Sequence, residues 1–270
     1  MHIVPARAGI NWLKSGWALF RKTPASWIAL TVLLLIASGL INLVPWAGPA
    51  LATMLIPGFS VSFMIASREA EKDAPLQAKL LLEGFRQGRA PLIKLGGLYL
   101  ICMLLVLGTS SLADGGVMLH WMLFGTTPPD AAILDGSLAG GLALAALVAT
   151  PVLMAFWFSP VLVAWRGMGP AQALFYSFFA SLRNWRAFAL YGATVAFVAF
   201  SLSLLLAGMV PLLKDTAMKG LIALLPVALV MLNVVMLPVL FSSFYFSFKD
   251  IFPDEQESDA PPPGENNDAT

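Results

Sequence analysis

The stretch LIKLGGLYLICMLLVLGTSSL, Leu92 to Leu112, decides the class of fold. Its single charge is Lys94, two residues in, where a long stem can snorkel towards an interface. A helix crossing a hydrocarbon layer about 30 Å thick needs roughly 20 apolar residues, because each backbone polar group must be satisfied within the segment. Outward from this run, five more segments qualify: Ala25 to Leu43 and Trp46 to Ala66 before it, and Leu138 to Ala164, Ala187 to Val210 and Leu221 to Phe246 after it. Lys94 is the one charged residue inside any of the six. The sequence therefore predicts an all-α polytopic membrane helix bundle with six transmembrane helices.

Composition agrees. Of 270 residues, 59% are hydrophobic and 11% charged, against roughly 25% charged in soluble domains. Six of the 15 acids lie in the last 17 residues, so residues 1–253 carry 16 bases against nine acids. This excludes a disordered chain and a nucleic-acid binder built on a basic face. With Cys102 the lone cysteine, it also excludes a secreted disulfide scaffold. Two regions follow: a six-span membrane domain over 1–250, and an acidic, proline-bearing tail over 251–270 that cannot bury enough apolar surface to fold and is expected to be disordered.

Lys and Arg accumulate on the cytoplasmic side of short loops. Fourteen bases fall on the side of the two termini: Arg7, Lys14, Arg21, Lys22, Arg68, Lys72, Lys79, Arg86, Arg89, Lys94, Arg166, Arg183, Arg186 and Lys249. Only Lys214 and Lys219 fall opposite. Both termini are expected in the cytoplasm. Met1 to Pro24 has four bases and no compact apolar core, so a cleaved signal is not expected and the first span reads as a retained anchor.

Three amphipathic segments precede the spans in pairs. In the first, Arg7, Asn11, Lys14, Ser15 and Arg21 share a sector while Ile10, Trp12, Leu13, Trp17, Leu19 and Phe20 fill the rest, as in an interfacial helix. The stretch 77–87 sets Lys79, Glu83, Arg86 and Gln87 against Leu80, Leu81, Leu82 and Phe85. The third, Pro170 to Arg186, carries Ala173, Ser177 and Ser181 at four-residue spacing, a face that permits close helix approach. The order helix, span, span thus occurs three times, which reads as three hairpin repeats. Every second span has two prolines: Pro49 and Pro57, Pro151 and Pro160, Pro226 and Pro238. Kinks at Pro57, Pro160 and Pro238 would turn these helices towards the bundle interior. Ser60, Ser159 and Asn233 are then the candidates for lining a cavity, with an interhelical hydrogen bond the first role expected of Asn233.

Chemistry is sparse. No ionisable group sits at depth, His2 and His120 are too far apart in the chain plan to form a site, and Cys102 lies among Ile101, Met103 and Leu104 as packing. Asp114, Asp130 and Asp135 read as solvated acids of the outer loop, and Gly58-Phe59-Ser60-Val61-Ser62 lacks the closing glycine and the histidine of a nucleophile elbow. Nearly all of the eight tryptophans fall at expected span ends or interfacial helices, as belt anchors do. No catalytic residue, cofactor or metal is expected.

Several stretches together resemble a family of uncharacterised multi-pass inner-membrane proteins of Gram-negative bacteria. They are Gly16-Trp17-Ala18-Leu19-Phe20-Arg21 with Pro24, Asp114-Gly115-Gly116, Ser159-Pro160-Val161-Leu162-Val163-Ala164-Trp165, Ala173-Leu174-Phe175, and Leu182-Arg183-Asn184-Trp185-Arg186-Ala187-Phe188. The resemblance spans residues 10–250 and implies family and topology, not activity. The residues themselves leave two readings. One is a non-catalytic protein organising lipid or protein partners, with Arg7, Lys14, Arg21, Lys79 and Arg86 meeting anionic phospholipid headgroups. The other is a transporter or channel for an uncharged or amphipathic solute.

Overall fold

The computed structural model describes residues 1–45, 47–86, 89–213 and 225–253. Trp46, Lys214, Lys219, the start of the sixth expected span and the acidic tail beyond Pro253 lie outside the described residues. The described chain is all α: α1 Ala8–Lys22, α2 Pro24–Asn42, α3 Gly48–Glu71, α4 Leu80–Arg86, α5 Arg89–Asp114, α6 Val117–Phe124, α7 Asp130–Leu134, α8 Ser137–Trp157, α9 Ser159–Arg166, α10 Pro170–Arg183, α11 Trp185–Leu213 and α12 Leu225–Ile251. Among the described residues, six helical stretches are long and apolar enough to cross a membrane. They are α2, α3, Ala90–Asp114 of α5, Ser137–Arg166 across α8 and α9, Trp185–Leu202 of α11 and Val230–Ile251 of α12.

The fourth span is not one helix. Phe158 separates α8 from α9, and Pro160 stands in the first turn of α9, where its missing N–H costs little. The outer connection between the third and fourth spans, read as loop from the sequence, holds α6 and α7. Here Asp114 is buried rather than solvated. Its carboxylate accepts the N–H groups of Gly116 at 2.8 Å and Met118 at 3.0 Å, capping α6 after Gly116 takes φ 93°, a conformation that suits glycine. Asp130 and Asp135 are exposed.

The three short helices that precede span pairs do not simply lie on the lipid surface. Each packs against a proline-bearing span: α4 on α3, α10 on α8, and α1, closing the ring, on α12. Small residues make the approach close. A Cβ added at Gly16 would lie 2.5 Å from the Val239 carbonyl oxygen and 2.8 Å from the Ser243 nitrogen. Gly84 sits equally tightly against α3, its N–H donating to Ser62 Oγ at 3.1 Å while that hydroxyl donates to the Leu81 carbonyl at 2.7 Å. On α10, Ala173, Ser177 and Ser181 are all buried.

Trp12, expected at the lipid interface, is 1% exposed beneath α12 and α11, and Trp27 is fully buried against Phe63. Trp17, Trp121 and Trp185 are exposed. The main core runs through α1, α3, α9 and the ends of α10 and α12, where Val61 to Ser67 form an unbroken buried stretch.

Ion pairs gather at the end of the bundle that carries Met1 and Phe252, termed the basic end. Lys22 pairs with Asp73 at 2.8 Å, and Lys249 with Glu71 at 2.9 Å beside the Tyr245 hydroxyl, which donates to the same carboxylate at 2.6 Å. The Arg68 guanidinium lies 4.9 Å from the Trp165 ring centre, and Arg166 donates to the Phe252 carbonyl.

Candidate ligand cavity

Each of three spans carries a proline within it. Pro57 and Pro238 lie inside α3 and α12, and the α8–α9 joint precedes Pro160. Where these helices converge, they enclose a cavity of about 440 Å³. Pro57 and Ser60 face it from α3, Leu153 and Trp157 from α8, Pro160 from α9, and Leu237 and Phe241 from α12. Tyr99 of α5 and Tyr191 of α11 complete the wall. The lining is almost wholly hydrocarbon. Among the described residues, no carboxylate, amine, imidazole or thiol contributes to it.

Three hydroxyls supply most of the polarity. The Tyr191 hydroxyl hydrogen-bonds Ser243 Oγ at 2.9 Å, and Ser243 in turn donates to the Leu240 carbonyl. That chain fixes α11 to α12 just behind the site, at the level where Gly16 of α1 meets Ser243. The hydroxyls of Ser60 and Tyr99 have no hydrogen-bond partner among the described residues. The Trp157 indole nitrogen is buried and also without a partner there.

Of the residues the sequence nominated, Pro57, Pro160 and Ser60 are in the wall. Ser159 and Asn233 are not among its lining residues: Ser159 is fully buried in the core beside the joint, its hydroxyl without a partner among the described residues, and Asn233 is exposed on α12. Pro238 is buried behind Leu237. Tyr99 and Tyr191 were missed, because a tyrosine in an apolar run reads as packing until a neighbouring helix shows what its hydroxyl faces. Cys102 is half-buried.

The nominated bases lie elsewhere. Arg7, Lys14 and Arg21 are exposed along one side of α1, Lys79 is exposed before α4, and Arg86 is exposed with Glu83 at 3.4 Å. Among the described residues, the first four enter no ion pair. His2 and His120 are exposed, His120 bonding the Gly116 carbonyl through Nδ1. No group of three or more metal-ligating side chains occurs among the described residues.

The chain is 36% identical over 266 residues to a probable inner membrane protein of Burkholderia thailandensis, covering 96% of this chain and 95% of the relative. It belongs to that family of multi-pass inner-membrane proteins. The alignment reaches across all six spans, so family membership rests on the whole bundle and not on one motif. No family model matches the chain, and no solved structure matches it.

Proposed function

We propose that the protein is a non-catalytic integral protein of the inner membrane that organises lipid, or a membrane-protein partner, at its basic end, with that end in the cytoplasm. The observation that carries this reading is the mounting of α1. Its inner side is clamped through Trp12 and Gly16 to α11 and α12, so Arg7, Lys14 and Arg21 stand in a row on a rigid helix and remain exposed. Bases so placed near an anionic leaflet contribute about 1 kcal/mol each. Lys79 and Arg86 are likewise exposed, before and at the end of α4. That the cavity wall carries no carboxylate, amine, imidazole or thiol among the described residues supports a non-catalytic role.

Changing Arg7, Lys14, Arg21, Lys79 and Arg86 together to Gln tests it. The variant should co-purify with less phosphatidylglycerol and cardiolipin than the wild type. An unchanged complement of anionic lipid would refute the headgroup role.

The cavity favours a second reading, passage of an uncharged or amphipathic solute. Ser60→Cys in a Cys102→Ala background decides it. Labelling by a membrane-impermeant thiol reagent would indicate a hydrated path to the cavity, whereas silence would indicate a site closed to water.

A further inference from the structure

Among the described residues, the backbones of α8 and α9 do not pack closely against α11 or α12. Aromatic rings bridge the gap instead. Trp157 meets Phe188 and Phe244, each with centroids 5.5 Å away, and Tyr191 at 6.0 Å. Its neighbour Phe158 stacks on Phe244 at 5.6 Å and touches Phe188, Phe248 and Phe252. Of this ring group Phe244 also lines the cavity, whereas Phe158, Phe188, Phe248 and Phe252 lie outside its wall. Towards the other end no ring bridges α8 and α11 among the described residues, and both helices carry exposed side chains there: Leu147 is 70% and Phe197 71% accessible. The crevice is floored at one end and open at a level where six membrane-spanning helices place hydrocarbon around it.

What reaches such an opening is what dissolves in the bilayer core. A charged or strongly hydrated ligand would lose its water at a wall that offers no counter-charge, at a cost of several kcal/mol. A hydrocarbon chain loses nothing. A volume of about 440 Å³ lies inside the range of roughly 300–1,000 Å³ usual for ligand sites. The hydroxyls of Ser60 and Tyr99, unpartnered among the described residues, offer two donors to a carbonyl in an otherwise apolar wall.

We propose that this cavity is a binding site for one acyl chain of a membrane phospholipid, entering sideways from the bilayer between α8 and α11, with its ester carbonyl held by Ser60 and Tyr99 and its passage to the basic end stopped by Trp157 and Phe158. The site is separate from the basic row on α1 and does not depend on it.

The full-length protein in mild detergent, given 1-palmitoyl-2-oleoyl phosphatidylethanolamine, is read by native mass spectrometry under activation that strips loosely held lipid. The headgroup has no net charge, so the basic row contributes little. Wild type should retain one lipid. Leu153→Trp, which fills the cavity, and the gentler Ser60→Ala/Tyr99→Phe pair should each lower that retention by at least about tenfold, or 1.4 kcal/mol. Leu40→Trp, on the exposed side of α2, which does not line the cavity, should retain it, as should the five-fold Gln variant. A wild type that holds no lipid, or cavity variants that hold it as well as wild type, would overturn the site. Loss in the five-fold Gln variant alone would move the lipid to the basic row and equally overturn it.

Discussion

The Ser177 hydroxyl occupies the place of a backbone hydrogen bond at Phe158. It accepts the Phe158 N–H at 2.8 Å and donates to the Met154 carbonyl at 2.8 Å, the two groups that would bond each other in an unbroken helix. A side chain inserted into the ladder bends a helix, and Pro160, two residues on, has no N–H with which to resume it. The α8–α9 joint that carries Trp157 and Pro160 into the cavity wall is therefore set by a residue of α10. Ser177→Ala leaves the buried Phe158 N–H unpaired, with the Met154 carbonyl keeping only Ser181 Oγ at 3.3 Å, or it straightens the helix. The expected cost is about 1–3 kcal/mol, seen as a lower thermal midpoint in detergent. An unchanged midpoint would show that the hydroxyl does not hold the joint.

Trp12 ties the first helix to the end of the last. Its indole N–H donates to Asp250 at 2.6 Å. Trp12→Phe keeps most of the packing and loses a bond to a charged group, worth on the order of 1.5–3 kcal/mol. Trp12→Ala should cost about 3–5 kcal/mol. A double-mutant cycle of Trp12→Phe with Asp250→Asn measures the coupling, and a coupling of zero would mean that the contact is incidental.

Gly16 and Gly39 make a matched pair. A methyl at Gly16 meets backbone on α12, which cannot swing aside, whereas nothing lies within 4 Å of the Cβ position at Gly39 in α2. Gly16→Ala should destabilise by at least about 1–3 kcal/mol. Gly39→Ala should be neutral or stabilise by about 0.4–1 kcal/mol. Equal midpoints for the two variants would contradict the close docking of α1.

Asn184 clasps the amino-terminal segment. Its Oδ1 accepts the Val4 N–H at 2.8 Å and its Nδ2 donates to the His2 carbonyl at 3.1 Å, while the His2 N–H reaches the Ile251 carbonyl at 2.8 Å. Asn184→Ala should free residues 1–6 and speed cleavage of a tag placed there by a site-specific protease, with the spans intact. Cleavage at the wild-type rate would show that the clasp is dispensable.

The bias in basic residues forecasts the side on which each end lies. An alkaline phosphatase reporter fused after Thr127 should be active in cells and one fused after Glu265 inactive. The reverse pattern would invert the orientation.

The sequence by itself determined the class, the six spans and the clustering of bases, because hydrocarbon demands about 20 apolar residues per helix whatever that helix packs against. It also showed the spacing of Ala173, Ser177 and Ser181 and the prolines within the spans. Only the tertiary structure decided which apolar faces meet protein. Trp12 and Trp27 could not be told from belt residues, nor Asp114 from a solvated loop acid. Ser60 could not be told from Ser159 and Asn233 as a lining residue, and Tyr99 gave no sign at all. The physical reason is that lipid tails are as apolar as a leucine side chain. In water, burial leaves a polar and an apolar face that can be read in the chain. In a membrane both faces are greasy, and what separates a core contact from a lipid contact is fit: whether Gly16 lets α1 approach α12, and whether Ser177 finds the gap in α8.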